Sequence, residues 1–439
     1  MTSFLAFVFV LGVLVFVHEL GHFLAARRIG VRVLTFSLGF GPKLLSVKRG
    51  DTEYCISAIP LGGYVKMAGE NPDDARTGAA DEFLSKTKWE RFQVLIMGPI
   101  MNLALAVVVM ALVLYQGADI PAFAEQPAVI GSVEQGSPAD LAGLRPGDRI
   151  VSVQGRAIED WERLTLAIGT RANRELPIVF ERDGKRFEKV ITPRATDKYE
   201  TGTIGVRPWY RPEIASVNDG GPAREADLRP GDVVLGAAGE RYVNRERLIE
   251  LIKAHEGKPL PVEIDRDGQV MTISVTPRTI DDTVRISAHI REAETITVQP
   301  GIVEAFKLSV ERNWEWTALI FETLTGLFTR DTSVKQLMGP VGIAGLSGDA
   351  AEAGVIPLFT LMALISLNLG IMNLMPIPVL DGGHIAILAV EGLSRRDFSM
   401  KVKEKMLLGG FVILVTLMVT VIYNDLTRVQ WIEQLMPWR

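Results

Sequence analysis

Four stretches of the chain are apolar over the length of a membrane span, and they constrain the fold more than any other feature. Residues 4–26, 94–115, 355–380 and 406–423 each come close to the ~20 consecutive apolar residues that a bilayer requires. The chain has 439 residues, 23% of them charged, and a positive mean hydropathy, which fits spans joined to a soluble portion and two to four domains. A formal charge of −5 and the lack of a basic stripe argue against a nucleic-acid partner. The first stretch has no basic region before it and no small-residue cleavage pattern after it, so it is expected to be retained rather than removed as a signal peptide. Cys55 is the only cysteine, which excludes an intrachain disulfide and suggests a buried small hydrophobe.

The first and third spans carry groups that hydrocarbon rejects. "VFVHELGHFL", Val15 to Leu24, holds two histidines and a glutamate, and "SLNLGIMNLMPIPVLDGGH" holds Asn368, Asn373, Pro376 and Pro378 before Asp381. A charged side chain at the bilayer centre costs about 2.5–3.5 kcal/mol on insertion scales, so such residues mark function. The third span is expected to unwind at its C-terminal end, where protein and not lipid must surround it.

Basic residues orient the spans. Arg27, Arg28, Arg32, Lys43, Lys48, Arg49 and Lys66 follow the first span, and Arg395, Arg396, Lys401, Lys403 and Lys405 lie between the third and fourth. Both loops are therefore expected in the cytoplasm, with both termini and the large middle region outside. The organisation read from this pattern is a first transmembrane helix over 1–26, a membrane-associated β region on the cytoplasmic side over 27–91, and a second helix over 92–116. Two repeated modules follow over 126–200 and 201–280, then an amphipathic helix at the interface over 301–330, a third span over 355–384 and a fourth over 406–424.

The repeat is internal and gapless over most of its length. "SVEQGSPADLAGLRPGDRIVSVQG" at Ser132 returns as "SVNDGGPAREADLRPGDVVLGAAG" at Ser216, and the offset of 84 residues holds through "ERDG" against "DRDG" and "ITPR" against "VTPR". Each copy reads as a strand, a Gly/Pro turn, a second strand entered through "LRPGD", a helix, and two strands joined by an Asp-Gly turn. The copies resemble PDZ domains, which add a peptide strand to a sheet edge; spacer modules without a ligand remain an alternative. "TIGV" at Thr203, assigned to the second copy, resembles a carboxylate-binding loop, which implies peptide contact at Ile204, Gly205 and Val206. The first copy shows no comparable stretch in "PAFAEQPAVIG".

His18 and His22 sit one helical turn apart on one face, where two imidazoles can bind a single Zn²⁺, and Glu19 is placed to act as general base. Catalytic zinc takes three protein ligands and leaves a fourth position open. Asp381 is the candidate third ligand because the topology puts it at the depth of the histidines; His384, three residues on, remains a rival. The strand "GYVKM", Gly63 to Met67, is the expected sheet edge on which a substrate would be held extended, with contacts at Tyr64, Val65 and Lys66. A zinc transporter and a non-catalytic PDZ scaffold are the rival functions. The first leaves the glutamate between the histidines unexplained, and the intact ligand set argues against the second.

HExxH in one span with N-x-x-P-x-P-x-L-D-G in another resembles the site-2 protease family of intramembrane zinc metalloproteases. Asn373, Pro376, Pro378, Leu380, Asp381 and Gly382 fill the second motif, and "GFGP" at Gly39 and "PLGGYVKM" at Pro60 also fit. The resemblance implies one Zn²⁺ on His18, His22 and Asp381, Glu19 as catalytic base, and Asn368 and Asn373 on the substrate backbone. For the asparagines, hydrogen bonds within the helix bundle are an equal reading. The fold expected is a membrane α-helical bundle of four transmembrane helices, a membrane-associated β region and two extracytoplasmic PDZ domains of α+β type. The resemblance further implies a monomeric bacterial inner-membrane enzyme in the lipid bilayer. Its substrates would be single-span membrane proteins, such as an anti-sigma factor already shortened by another protease, and leftover signal peptides.

Overall fold

Apolar length sets the first level of the architecture. The computed structural model describes residues 2–427 apart from 71–77, 122–125, 197–199, 267, 281–282, 293–294, 299 and 330–331. Four of its helices are long and apolar enough to cross a membrane: Ser3–Arg28, Lys88–Gln116, Val355–Asn373 and Lys401–Leu426. The chain divides into two compact units, Met1–Ala118 with Gln299–Thr325 and Leu337–Arg439, and Asp119–Val298 with Gly326–Gln336. Residue 330, where the interfacial helix was expected to end, and the terminal stretch beyond Thr427 lie outside the described residues.

The helices of the membrane unit are numbered α1 to α7. They are α1 (Thr2–Arg28), α2 (Lys88–Gln116), α3 (Ile302–Thr329), α4 (Pro340–Ala353), α5 (Val355–Asn373), α6 (Asp381–Ser394) and α7 (Met400–Leu426). Thr87 and Glu90 form a reciprocal capping box that starts α2. The third span is two helices and not one. Pro376 and Pro378 cannot donate to a helical ladder, so α5 stops at Asn373 and the chain runs through a non-helical turn to Leu380 before α6 begins. Two helices went unforeseen, α4 and α6. Gly339 at the start of α4 has no side-chain cap of its own, and Asp425 of α7 supplies one, accepting from Gly339 N at 3.1 Å and Gly342 N at 2.9 Å.

The helix expected at the interface docks along two spans. Ser309 of α3 donates to the Val107 carbonyl of α2 at 2.6 Å, and Trp316 and Ile320 pack against Ala106, Leu367 and Ile371. Its small polar residues Ser309 and Asn313, spaced i,i+4, give α3 a face that fits closely against another helix.

Between α1 and α2 the chain forms a long hairpin, β1 (Val33–Arg49) and β2 (Thr52–Met67). The irregular register folds it into a sheet of more than two strand segments. Residues Thr35 to Leu38 pair with Lys66 to Gly63 on one flank and with Glu53 to Ile56 on the other. Gly63–Met67 is therefore an edge, paired on one side only among the described residues. Val65 and Met67 point into a cluster with Ala26, Val31, Val33 and Phe36. Cys55 is buried in this hairpin, as expected.

The second unit holds the two modules, each with its own core. The order of elements in each copy follows the expectation, but the boundaries do not. Val206–Pro208 pairs with Ile130–Val133, and Ile204 lies in the first core, so "TIGV" completes the first module. The second module closes with Ala288–Glu292 against Pro212–Val217. Ile204 O accepts from Ala139 N in the first copy and Ile286 O from Ala223 N in the second, which makes Ile286, Ser287 and Ala288 the counterparts of Ile204, Gly205 and Val206. The modules thus run to about residues 209 and 292, not 200 and 280, because each recruits its closing strand from the segment after the repeat. Trp209 bridges the two, its indole donating to Val243 O at 3.0 Å, while Asn244 donates to Gly131 O at 3.3 Å.

The motif "LRPGD" has a physical reason. Asp148 is buried, accepts from Arg145 N, and takes a two-pronged bond from Arg182 at 2.6 and 2.7 Å; Asp232, Arg229 and Arg266 repeat the arrangement. Removing Asp148 leaves the Arg145 amide and the partly exposed Arg182 without their acceptor, at a cost of about 1–3 kcal/mol. Asp148→Ala should therefore speed amide hydrogen exchange across Ile150–Val153 in the full-length protein and leave Val233–Ala237 unchanged. Equal protection in both modules of the variant would show that the pair contributes nothing.

Candidate metal centre

α1 brings His18 and His22 to one face, and α6 opens with Asp381. The two Nε2 atoms are 3.2 Å apart, Asp381 Oδ2 is 3.2 Å from His18 Nε2, and Asp381 Oδ1 is 3.5 Å from His22 Nε2. Ligand atoms ~2.0–2.1 Å from a tetrahedral ion lie roughly 3.3 Å from one another, so the spacing suits one Zn²⁺ with an open fourth position. Among the described residues these three form the one group of histidine, cysteine and carboxylate side chains close enough to share a metal. Both histidines are buried.

The imidazoles are held from behind by α2. His22 Nδ1 lies 2.8 Å from the Val94 carbonyl, which can only accept, so Nδ1 carries the proton and Nε2 turns its lone pair to the centre. Pro99, inside α2, has no N–H to donate to the carbonyl of Leu95, the residue after Val94. His18 Nδ1 lies 3.2 Å from Asn102 Nδ2.

Glycines let the three elements approach. A Cβ on Gly21 would overlap the Met97 carbonyl, and one on Gly98 would overlap the His22 ring and crowd His18. Those on Gly382 and Gly383 would overlap the carbonyls of Leu374 and Ile377 in the non-helical turn. The "DGG" after the third span is thus what allows the turn to lie against the first turn of α6 and hold Asp381 at the histidines.

Glu19 faces the hairpin. A Cβ on Gly63 would stand 3.0 Å from Glu19 Cγ and 2.8 Å from Val15, so the edge Gly63–Met67 runs directly beside the HExxH turn. Of the residues expected to contact substrate, Tyr64 and Lys66 alternate away from the cluster that buries Val65. Asn368 donates to Leu364 O in its own helix at 3.0 Å, and Asn373 is the last residue of α5. His384 is outside the ligand group. With Asp381, Glu391 and Lys403 it lines a cavity of about 730 Å³ whose walls include Leu95, Leu388, Leu407 and Phe411. Ile204, Gly205 and Val206 lie in the other unit, in the first module.

The model of peptidase family M50 matches residues 6–417. The chain is a member of peptidase family M50. The regulator of sigma-E protease RseP of Salmonella typhimurium is 34% identical over 447 residues, 96% of this chain and 98% of its own. The regulator of sigma-E protease RseP of Escherichia coli is 32% identical over 458 residues, 98% of this chain and 100% of its own. A solved PDZ domain of an SdrC-like protein from Listeria monocytogenes covers 21% of this chain and 93% of its own at 22% identity, TM-score 0.18. This M50 protein is accordingly a multi-pass intramembrane zinc metalloprotease of RseP type, with His18, His22 and Asp381 as its candidate metal site.

Three features of the M50 centre were not anticipated from the residues: the Val94 carbonyl, Gly98 and Asn102. Asn102 carried a signal, being the only amide in the apolar run of residues 94–115. The Gly98 contact gives a direct test. Gly98→Ala should lower the zinc content of the purified protease, read by elemental analysis, whereas Gly12→Ala, where a Cβ meets nothing within 4 Å, should not. Full zinc occupancy in Gly98→Ala would mean that the ring does not bind where it lies.

Proposed function

We propose that this M50 protease cuts single-span membrane proteins within or near their transmembrane segments, after another protease has trimmed them. The observation that carries this reading is the open strand edge beside Glu19 and the metal triad. An anti-sigma factor of an envelope stress response is the substrate suggested by the relatives named regulator of sigma-E protease, and remnant signal peptides are a second class. The basic loops support a centre near the cytoplasmic side of a bacterial inner membrane, with both termini and the PDZ modules in the periplasm. The modules there act as a filter against substrates with bulky periplasmic domains, and their closing strands offer peptide sites.

A transmembrane helix hides its carbonyls in i to i+4 hydrogen bonds, so it must be unwound before hydrolysis. The Gly63–Met67 edge offers main-chain groups that replace those bonds and hold the substrate extended. Asn368 and Asn373, on α5, compete for further backbone groups. His18, His22 and Asp381 would hold the Zn²⁺, which would supply a water of pKa lowered toward ~7 and a Lewis acid for the scissile carbonyl. Glu19 takes the proton from the attacking water and delivers it to the leaving amine.

Glu19→Gln should keep zinc and lose cleavage of a membrane-spanning reporter by about 10²–10⁴-fold, the usual weight of a general base. Asp381→Ala should lose zinc as well. Wild-type turnover in Glu19→Gln would remove the catalytic assignment.

Strand addition is tested at Lys66, whose side chain is outside the apolar cluster. Lys66→Pro should cut a stable helical substrate at least about tenfold more slowly than Lys66→Ala, the order of one main-chain hydrogen bond. Substrates with helix-breaking residues at the cut should suffer less. Equal rates for the two variants at equal zinc content would exclude the edge from the mechanism.

A further inference from the structure

Asn102 is fully buried on α2, with Nδ2 3.2 Å from His18 Nδ1, and its Oδ1 has no hydrogen-bond partner among the described residues. The contact Asn102 makes with α5 uses its main chain, Ser366 donating to Asn102 O at 2.8 Å, so the side-chain amide is left to the histidine. An amide and its half-turn about Cβ–Cγ fill the same space with donor and acceptor exchanged. The choice between them decides what His18 can do. With Nδ2 toward the ring, Nδ1 must accept, the proton of the neutral imidazole sits on Nε2, and Nε2 donates to Asp381 Oδ2 at 3.2 Å. With Oδ1 toward the ring, Nδ1–H donates to it and the Nε2 lone pair is free for a metal.

We propose that Asn102 is a positioning residue of the metal centre, its Oδ1 accepting Nδ1–H of His18 and so committing Nε2 to the ion. The proposal rests on the reading of His18, His22 and Asp381 as zinc ligands. It makes the two histidines equivalent: each is fixed at Nδ1 by an oxygen of α2, His22 by the Val94 carbonyl and His18 by the Asn102 amide. The two anchors differ in one respect. A carbonyl can only accept, whereas an amide can also turn and release His18 into its bond with Asp381.

The test is the zinc affinity of the full-length protein in detergent, measured by competition with a chromophoric chelator, with near-ultraviolet circular dichroism as the check of folding. Asn102→Leu, similar in size with no acceptor, should bind zinc about 10–100-fold more weakly, the usual effect of losing a partner behind a metal ligand. Asn102→Asp, an acceptor of the same shape, should bind at or above wild-type affinity. Wild-type affinity in Asn102→Leu overturns the proposal, and so does a loss in Asn102→Asp as large as in Asn102→Leu, which would mean that the amide serves as a donor or as packing. If Asn102→Leu fails to accumulate, Asn102→Ala removes the same acceptor with less bulk. His18→Ala is measured in parallel. Unchanged zinc affinity there sinks the metal-site reading itself, while a loss there beside an unaffected Asn102→Leu sinks the positioning role alone.

Discussion

Two imidazoles and a carboxylate can stay at membrane depth only if they satisfy one another, and the arrangement of the membrane unit follows from that requirement. An isolated charge in hydrocarbon is excluded by its desolvation, so Asp381 must meet His18 and His22, and the remaining ring nitrogens must meet α2. Those contacts need helices closer together than side chains normally allow. Gly21, Gly98, Gly382 and Gly383 provide the room, and Pro376 and Pro378 break the ladder where a carboxylate must turn inward. The polar centre and the glycine-proline pattern are therefore one constraint seen from two sides.

The parts of this design that were legible in the sequence are those carried by local spacing. HExxH is visible because i,i+4 alone puts both histidines on one face, and the break after Asn373 is visible because two prolines forbid a helix. Asn102 was not, because its meaning depends on an imidazole 84 residues away that only packing brings to it. The ends of the two repeated modules were missed for a similar reason. The repeat keeps its 84-residue offset through "ITPR" and "VTPR", but Ile204 and Ile286, which play the same part, are 82 apart. Gly205 is also answered by Ser287, so the closing strand of the second module carries no recognisable turn residue, although Ser287 adopts the same positive φ.

The soluble unit obeys different physics. Its charges are not excluded by lipid but are spent on turns: the Asp148–Arg182 and Asp232–Arg266 pairs fix where each "LRPGD" enters its strand. Burying one end of each pair makes the bond hard to replace with water, and the two copies share it because they share the turn. Trp209 adds an apolar and hydrogen-bonded contact between copies that independent spacers would not need. The tandem is better described as one body than as two beads.

What joins fold to chemistry is the position of Gly63. In the proposed strand addition a strand reaches Glu19 only if nothing on the hairpin stands between them, and a Cβ at residue 63 would lie 3.0 Å from Glu19 Cγ. The hairpin edge and α1 are thus close enough at Gly63 that only a glycine fits beside the Val15 and Glu19 side chains, with Val65 and Met67 buried behind as the anchor. An edge that is unpaired in water invites association with other chains. In the proposed strand addition, the same edge beside the metal triad would be selective, because a segment laid on it must be thin enough to pass over a glycine and extended enough to give up its helical hydrogen bonds.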